Sequence, residues 1–501
     1  MGRDLSHLDF SNLGYMIPTC SNADRKRCAN SNLHYTIQLA SARWNLKTRS
    51  DQPNSGSEKP AAGHSVFTDI GVGEKSANIK GTFPLDGRFW PFKDAARRSI
   101  EESLVKEFTS GKHVALVIRG LGGRSGGAER IYCELANILT ENGYRVTCLF
   151  FDKKKETPFY HIDARAERIN LYGPAKESAQ KWKKISKVLP KKLQHRAEWE
   201  AENGFFVKQL RDYFKLSRPD IAISLMPPAN TPVLLAANGT SVKVVPTNHN
   251  IPEQDYDNPD RWSKNPYDRK LRKKVLDFAS AIHVLFPEFS KWFPIHLQSR
   301  IVAIPNYISK EFDSLEVVPP KEKLILGVGR LADVKNYVQL IRSWASIAAD
   351  HVEWGVKIYG VGPNEKELKE EARRLGVEGS LTFGGHRADL VGEYARAAIF
   401  CHPAFFEGFG LAPAEALAMG TPVVCYADCP GVNQFVKDGY NGLAVKRGGD
   451  PDELALALRR LIENEDLRER LGRNAPDSVR EFSITRYTEA WTALIERLVD
   501  E

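Results

Sequence analysis

The sequence contains one strand-and-helix pattern twice, and this repetition restricts the fold more than any other feature. The first copy opens with VALVI from Val114, a short apolar run rich in β-branched residues. Such a run is typical of a strand that is buried on both faces. A glycine-rich loop, a helical pattern that ends at Gly143 and a second strand follow, which together make a βαβ unit. Further strand-like runs begin at Pro219, Lys243, Ser280 and Arg300.

The second copy starts at KLILGVGRL, from Lys323, after a linker rich in Pro and charged residues that begins at Tyr307. Strand-like and helical segments then alternate again as far as IFCHP. Strands that alternate with helices predict an α/β fold with two doubly wound, Rossmann-like parallel-sheet domains in tandem. Ligands bind such domains at the carboxyl ends of the strands. The natural site is therefore the cleft across which the two domains face each other.

The pattern divides the chain into four segments. Residues 1–108 are rich in Ser, Asn, Asp, Gly and Pro, and we expect a poorly ordered extension, or an overlong start-codon assignment. Residues 109–308 form the expected N-terminal domain and residues 309–482 the C-terminal one. Residues 483–501 show a helical pattern with a Ser cap.

The positive charge of the chain is concentrated in two segments. The net charge is +8, and residues 176–196 hold eight Lys or Arg against one acid, while residues 261–276 read RWSKNPYDRKLRKKVL. Both segments could be solvated helix faces or could dock on an anionic membrane surface, where each cation adds about 1 kcal/mol. Nucleic acid is not an expected partner, because no recognisable binding module accompanies the charge.

Cysteine usage and apolar runs indicate a cytoplasmic protein, at most peripheral on the inner face of the membrane. No apolar run approaches the roughly 18 residues of a membrane-spanning helix. Seven scattered cysteines form no CxxC pair. This usage predicts reduced thiols and no metal cluster.

The first motif with chemical meaning is GLGGRSGGAER, from Gly120. Gly126 and Gly127 stand just before the helix. Glycines there let the backbone approach a ligand closely, and the N–H groups of a helix start attract anions. The alternative is a flexible turn without a ligand.

The second motif is GVGRLADVKN, from Gly327. A strand ends at Gly329, and Arg330 and Lys335 follow on the loop. Arg binds a diphosphate bidentately and Lys acts as a mobile point charge, so the two cations could clamp one. As solvated loop charges they would need no ligand.

The third motif, EGFGLAPAE, runs from Glu407 to Glu415. Gly408 and Gly410 allow a tight turn whose N–H groups face bound oxygen atoms, and a helix starts at Leu411 with its positive end at the same place. Ionised carboxylates accept hydrogen bonds from hydroxyls. A nucleotide sugar offers hydroxyls at both ends and a diphosphate between them, which matches this motif.

These three motifs, in this order, resemble those of the GT-B glycosyltransferases of family 4, which are retaining, use nucleotide-sugar donors and need no metal. The segment CPGVNQFVKDGYNGLAV, from Cys429, is similar to the one that follows the third motif in bacterial members that build surface polysaccharides or lipid-linked glycans. The resemblance covers roughly residues 112 to 501. It implies that the last helix crosses back to the N-terminal domain.

The resemblance also implies residue roles. Arg330 and Lys335 would stabilise the departing nucleoside diphosphate, Glu407 would hold a donor-sugar hydroxyl, and Glu415 would hold the ribose diol. His249 matches a histidine that many members place near the sugar, although a structural hydrogen bond is the alternative. The backbone groups that would complete the donor pocket belong to Gly126, Gly127, Gly329, Gly408, Phe409, Gly410 and Leu411.

The implied reaction moves a hexose or N-acetylhexosamine from a UDP- or GDP-sugar to a lipid-linked or polysaccharide acceptor, with no cofactor. Negative charge grows on the leaving oxygen, and no enzymic nucleophile is evident, so the acceptor would attack from the leaving group's own face. The Asp255-Tyr256-Asp257 triplet is not expected to bind metal. Two alternatives stay open: a nucleotide-sugar 2-epimerase of the same fold, and a non-catalytic nucleotide-sugar-binding subunit.

Overall fold

The computed structural model describes residues 111–153, 156–173, 189–312, 320–387, 389–448 and 452–501. All of them belong to one compact unit. The expected extension 1–108 and most of the basic segment 176–196 lie outside the described residues.

The first half of the described chain builds a seven-stranded sheet in which all paired strands are parallel. The order across the sheet is β3-β2-β1-β4-β5-β6-β7. The central strands are buried along their whole length, as their β-branched sequences predict. The strands are β1 (His113–Ile118), β2 (Arg145–Phe150), β3 (Glu167–Asn170), β4 (Ile221–Leu225), β5 (Lys243–Thr247), β6 (Ile282–Val284) and β7 (Ile301–Ala303).

The second half builds a six-stranded sheet, also parallel throughout, with the order β10-β9-β8-β11-β12-β13. Its strands are β8 (Glu322–Val328), β9 (Gly355–Tyr359), β10 (Leu381–Gly385), β11 (Ala397–His402), β12 (Val423–Tyr426) and β13 (Gly442–Val445). The prediction of an α/β fold with two Rossmann-like parallel sheets is therefore confirmed.

Helices connect the strands and cover both sheets. The α-helices of the described residues are α1 (Gly127–Glu141), α2 (Lys191–Ser217), α3 (Pro227–Ala237), α4 (Pro266–Lys274), α5 (Ile295–Gln298), α6 (Tyr337–Ala345), α7 (Glu365–Arg374), α8 (Val391–Arg396), α9 (Leu411–Ala418), α10 (Glu453–Glu463), α11 (Glu465–Asn474) and α12 (Ile484–Asp500). No helix among the described residues is long and apolar enough to cross a membrane.

Each sheet reverses its winding direction at one point, and this reversal positions the motifs. In the second sheet β8 lies beside β11, and in the first sheet β1 lies beside β4. Loops that leave the carboxyl ends of two such neighbours run in opposite directions and open a crevice. The loops after β8 and β11 carry the second and third motifs. Two segments that are about 70 residues apart in sequence therefore meet at one edge of the sheet.

An apolar cluster joins the two domains beneath the cleft. Phe286, which follows β6, stacks on Phe409 of the third motif, with ring centroids 5.5 Å apart and planes 5° from parallel. Phe482 packs edge-on against Phe409 at 5.0 Å. Aromatic contacts of this kind add about 0.5–1.5 kcal/mol to the burial of the rings. The side chain of Phe409 is thus part of the interdomain core, which leaves only its backbone for a ligand.

The last helix, α12, packs on the N-terminal domain. Its Trp491 lies against His283 of β6 with ring centroids 5.1 Å apart. Lys112, just before β1, forms an ion pair with Glu496 at 2.6 Å, and the Tyr144 hydroxyl donates to the same carboxylate at 2.6 Å. The last helix therefore packs on the first of the two described domains.

Buried cysteines are part of the core in both domains. Cys133, Cys148, Cys401, Cys425 and Cys429 are free thiols. Burial raises the pKa of each, so these thiols stay protonated at neutral pH.

Gly408 is the position where the backbones of the two domains come closest. A Cβ atom at this residue would lie 2.0 Å from the carbonyl oxygen of His249 and 2.9 Å from the Cα atom of Asn250. Both of these atoms belong to the backbone after β5, so neither can move away by a simple change of side-chain rotamer. Glycine at 408 is therefore required by the close approach of the domains, whatever its role toward a ligand.

We expect Gly408→Ala to lower the free energy of unfolding by about 1–3 kcal/mol, because the added methyl group must push the two backbones apart. Urea unfolding measures this change. Gly379→Ala is the matched control, since a Cβ atom there meets nothing within 4 Å. Equal stability of both variants would contradict the tight interdomain contact.

Candidate active site

Lys335 and Glu407 form an ion pair at the centre of the cleft edge of the second sheet. Lys335 lies on the loop after β8, and Glu407 lies on the loop after β11. The imidazole of His402, the last residue of β11, is 2.9 Å from Glu407 Oε1 through its Nε2 atom. Both members of the ion pair are largely buried, with 19% and 16% of their side chains exposed. The carboxylate is thus fixed by one cation and one imidazole.

The electrostatics of this cluster keep Glu407 ionised. Burial raises its pKa, but the attraction of Lys335 and the hydrogen bond from His402 outweigh burial and lower the pKa to about 2. Burial lowers the pKa of His402 in spite of the nearby carboxylate, so the imidazole is neutral at pH 7. Because an ionised carboxylate only accepts, His402 donates through Nε2–H.

Gly329 lies close to Tyr337 and Lys335. A Cβ atom at 329 would lie 2.9 Å from the Tyr337 hydroxyl and 3.4 Å from Cε of Lys335. The first distance is a clash, whereas the second is an ordinary van der Waals contact. A side chain at 329 would therefore have to move Tyr337, which begins α6 just after Lys335.

Arg330 is exposed at the same edge. Burial lowers the pKa of Arg261 in the N-terminal domain, and the charge of Arg330 lowers it further, whereas Asp255 and Glu407 raise it. Arg330 is therefore within electrostatic range of the other domain, and Lys335 pairs directly with Glu407. The two cations of this loop suit an anionic ligand.

Glu415 lies in α9 and contacts the other domain. Arg130, in the first turn of α1, reaches its carboxylate at 3.3 Å, and the Tyr394 hydroxyl donates to its second oxygen at 2.9 Å. Arg130 also pairs with Glu134 at 2.8 Å and donates to Ser309. Burial raises the pKa of Glu415, and Arg130 opposes this effect. The acid that the motif assigns to a ribose is held here by an arginine from across the cleft.

The ion pair of Arg130 and Glu415 connects α1 with α9. Gly126 caps α1 and Gly410 caps α9, and within the described residues no side chain caps either start. Gly410 is in the left-handed region with φ of 90°, which favours glycine. At Gly127 a Cβ atom would meet nothing within 4 Å, so packing does not require this glycine. Backbone N–H groups at the start of a helix that no side chain caps are favourable partners for phosphate oxygens.

His249 lies at the inner wall of the cleft. A hydrogen bond of 2.9 Å joins its Nε2 atom to Thr247 Oγ1, and its buried Nδ1 atom has no partner among the described residues. Burial and the neighbouring His283 lower the pKa of His249 to about 3, so the imidazole is neutral. Both roles expected of it, structural and ligand-facing, are compatible with this placement.

The two carboxylates of the Asp255-Tyr256-Asp257 triplet are held by different partners. Asp255 is fully buried and accepts from the Trp262 indole at 2.8 Å, whereas Asp257 accepts from Trp292 at 2.7 Å and pairs with Lys273. Among the described residues no three His, Cys, Asp or Glu side chains are grouped as metal ligands.

Sequence reasoning missed three residues of this site: Arg130, His402 and Arg261. His402 could have been found, because it ends the strand that precedes the third motif. Arg130 stands three residues after Gly127, on the first turn of a helix whose start was already singled out. Arg261 opens the basic segment 261–276, whose sequence pattern indicates only a positive charge.

Comparisons with known proteins agree with this geometry. Residues 309–478 match the family model described as "Glycosyl transferases group 1", and residues 125–312 match the model described as "Glycosyltransferase Family 4". The two matches are consecutive and together run from residue 125 to residue 478. The chain belongs to the group 1 glycosyltransferases of the GT-B fold.

Several curated relatives match most of the chain. An uncharacterized glycosyltransferase of Haemophilus influenzae is 26% identical over 77% of this chain and 100% of its own. A Campylobacter jejuni α-1,4-N-acetyl-D-galactosaminyltransferase that acts on an undecaprenol-linked glycan is 26% identical over 74% of this chain and 95% of its own. The lipopolysaccharide core biosynthesis glycosyltransferase LpsE of Rhizobium meliloti is 25% identical over 74% and 96%.

Solved structures share the fold at low sequence identity. TarM of S. aureus, in complex with UDP among other molecules, superposes with a TM-score of 0.60 at 14% identity, over 77% of this chain and 99% of its own. Anabaena HepE in complex with UDP has a TM-score of 0.57 at 18% identity, over 77% and 100%.

The ion pair predicts a pH dependence of stability. The pKa of Glu407 is about 2 in the folded chain against an ordinary value of 4.5, so its contribution is complete well above pH 4.5 and is lost as the pH falls toward 2. From pH 5 to pH 3 we expect wild type to lose about 2 kcal/mol more than Glu407→Gln. Urea unfolding at both pH values measures the difference. Parallel losses would contradict the low pKa.

Proposed function

We propose that this chain is a retaining, metal-independent glycosyltransferase that moves a hexose or N-acetylhexosamine from a nucleoside-diphosphate sugar to a lipid-linked or polysaccharide acceptor. The observation that carries the proposal is the ion pair of Lys335 and Glu407 at the winding reversal of the second sheet, with Arg330 exposed on the same loop as Lys335. A cationic pair beside one fixed carboxylate suits a substrate that carries a diphosphate and a polyol side by side.

In the proposed reaction the bond between the sugar and the diphosphate breaks, and negative charge grows on the leaving oxygen. Arg330 and Lys335 would neutralise this charge, and fixed cations cost no reorganisation at the moment of reaction. The acceptor hydroxyl forms the new bond on the leaving group's own face. Its proton passes to the departing diphosphate, so no enzymic base is needed.

The carboxylates would orient the donor. Glu407 is held ionised by Lys335 and His402, so a free lone pair could accept from a sugar hydroxyl. Glu415 would accept from the ribose diol, and its ion pair with Arg130 must then be shared or released. Phosphate oxygens would lie between the starts of α1 and α9, near Gly126, Gly127 and Gly410.

The relatives support the substrate class. The Campylobacter relative is named for transfer to an undecaprenol-linked glycan, and LpsE is named for lipopolysaccharide core biosynthesis. Two of the fold's solved structures, TarM and HepE, contain UDP. On these grounds we propose a UDP-sugar donor first and a GDP-sugar donor second.

Two other functions remain as alternatives. A nucleotide-sugar 2-epimerase of the same fold would need different acids in the cleft, and the Glu407 and Glu415 pair disfavours it. A non-catalytic binding subunit often lacks one cleft residue. Here Arg330, Lys335, Glu407 and Glu415 are all present.

The donor is testable by thermal unfolding with UDP, GDP and ADP, followed by hydrolysis assays with the matching sugars. We expect one nucleotide to raise Tm, because a ligand that binds only the folded state at 100 times its Kd adds about 2.7 kcal/mol. Stabilisation by none of the three would overturn the proposal, and stabilisation without sugar hydrolysis or transfer would favour the binding subunit.

The same assay tests the residues. Lys335→Ala and Glu407→Ala should each lower turnover about 10²- to 10³-fold while the chain stays folded. Lys323→Ala is the matched control, since this exposed lysine lies at the opposite end of the same strand, β8. Full activity in either cleft variant would refute its assignment.

We also propose that the basic segments of the N-terminal domain place the enzyme on the anionic inner face of the cytoplasmic membrane. Lys264, Lys270 and Lys274, around α4, are exposed, although Arg272 is buried in an ion pair with Asp268 and does not contribute.

Sedimentation with phosphatidylglycerol vesicles at low salt tests this placement. Reversing Lys264, Lys270 and Lys274 to Glu should weaken binding at least about tenfold, because each surface cation adds about 1 kcal/mol. The control carries the same charge change on the C-terminal domain, at Lys366, Lys437 and Lys446, all exposed. Equal loss in both would show that only net charge matters.

A further inference from the structure

Two unusual backbone conformations lie close together between Glu253 and Trp262. Residues Glu253–Asp257 form a π-helical turn, a rare element that is frequent at functional sites. Trp262 has φ of 66°, which costs on the order of 1–3 kcal/mol for a bulky residue. Strain of this kind persists where the surroundings enforce it, and it clusters at ligand-binding sites.

The contacts that hold this part of the backbone in place are centred on Asp255. This carboxylate is fully buried, and its Oδ1 atom accepts from the Trp262 indole at 2.8 Å and from the Asn250 amide at 3.3 Å. The Arg261 Nε atom lies 3.6 Å from the same oxygen. A buried acid therefore fixes an arginine and a tryptophan that are adjacent in the chain.

Arg261 reaches the loop of the third motif, and Trp262 lies beside it. The Arg261 guanidinium lies 4.9 Å from the Trp262 ring centroid and 5.9 Å from that of Phe406, the residue before Glu407. Trp262 keeps 38% of its surface exposed. Arg261 thus borders the place where Glu407 would hold the donor sugar, and the exposed indole of Trp262 is its neighbour.

We propose that Trp262 and Arg261 form the acceptor subsite, in which a pyranose ring packs on the exposed indole and the guanidinium donates to its hydroxyls. The inference rests on the proposed glycosyltransferase function. The apolar face of a sugar ring suits an aromatic surface, and a few fixed polar groups give such a site its orientation. A saccharide here would stand opposite the donor sugar, as transfer requires.

Binding can be measured without any turnover. The probes are p-nitrophenyl hexopyranosides and N-acetylhexosaminides, added to the ¹⁵N-labelled chain, with the indole signals assigned through Trp262→Phe and Trp292→Phe. We expect the Trp262 signal to shift and the Trp292 signal to stay. Trp292 is the matched control, because its indole also donates to a carboxylate, Asp257, but packs on Tyr256. Failure of every glycoside to shift Trp262 would overturn the saccharide subsite.

Kinetic measurements distinguish the role of the Trp262 ring from the role of its hydrogen bond to Asp255. Trp262→Ala should raise the KM for the saccharide acceptor at least about tenfold, or about 1.4 kcal/mol, and leave the KM for the donor within about twofold. Trp262→Phe retains a ring without the N–H group and should recover most of the loss. Trp292→Phe should behave as wild type.

Equal defects in the Ala and Phe variants would assign Trp262 only to holding Asp255, and would overturn the proposal. So would a rise in the KM for the donor equal to that for the acceptor. If wild type hydrolyses no nucleotide sugar, the proposed function fails, but the indole shift still decides the subsite.

Discussion

The ion pair between Lys335 and Glu407 depends on the winding reversal of the second sheet, and the rest of the cleft is arranged around it. Parallel strands β8 and β11 are neighbours, so their loops bring a cation and an acid together from distant parts of the sequence. His402 serves the same contact by donating to the carboxylate. A group paired in this way keeps its charge in a buried place.

The glycine turn after Glu407 has a second purpose that its sequence does not reveal. Gly408 lies under the backbone of His249, and Phe409 stacks on Phe286. The motif that the sequence assigns to a ligand is therefore also a contact between the domains. A substitution there changes both properties, so loss of activity alone would not identify a ligand contact.

Much of the fold could be predicted from sequence, because buried parallel strands and amphipathic helices leave local patterns. The central strands were found by their β-branched runs, whereas β3, exposed and only four residues long, was not. The site was predictable only within each domain. The contact of Arg130 with Glu415 joins residues 285 positions apart, and no local pattern encodes such a distance. The proposed role of Trp262 has no local sequence pattern either, since its positive φ and its hydrogen bond to Asp255 are properties of the folded chain.

The N-terminal domain contributes more to the cleft than glycines at a helix start. It supplies Arg130 to Glu415, the His249 backbone to Gly408, and Arg261 to the region beside Glu407. Each of these contacts crosses the gap, so the position of one domain sets the electrostatics of the other. A ligand that displaces Arg130 from Glu415 must form hydrogen bonds that offset the free energy lost when this ion pair is separated. Under the proposed function, binding of the ribose at Glu415 would therefore compete with a contact between the two domains.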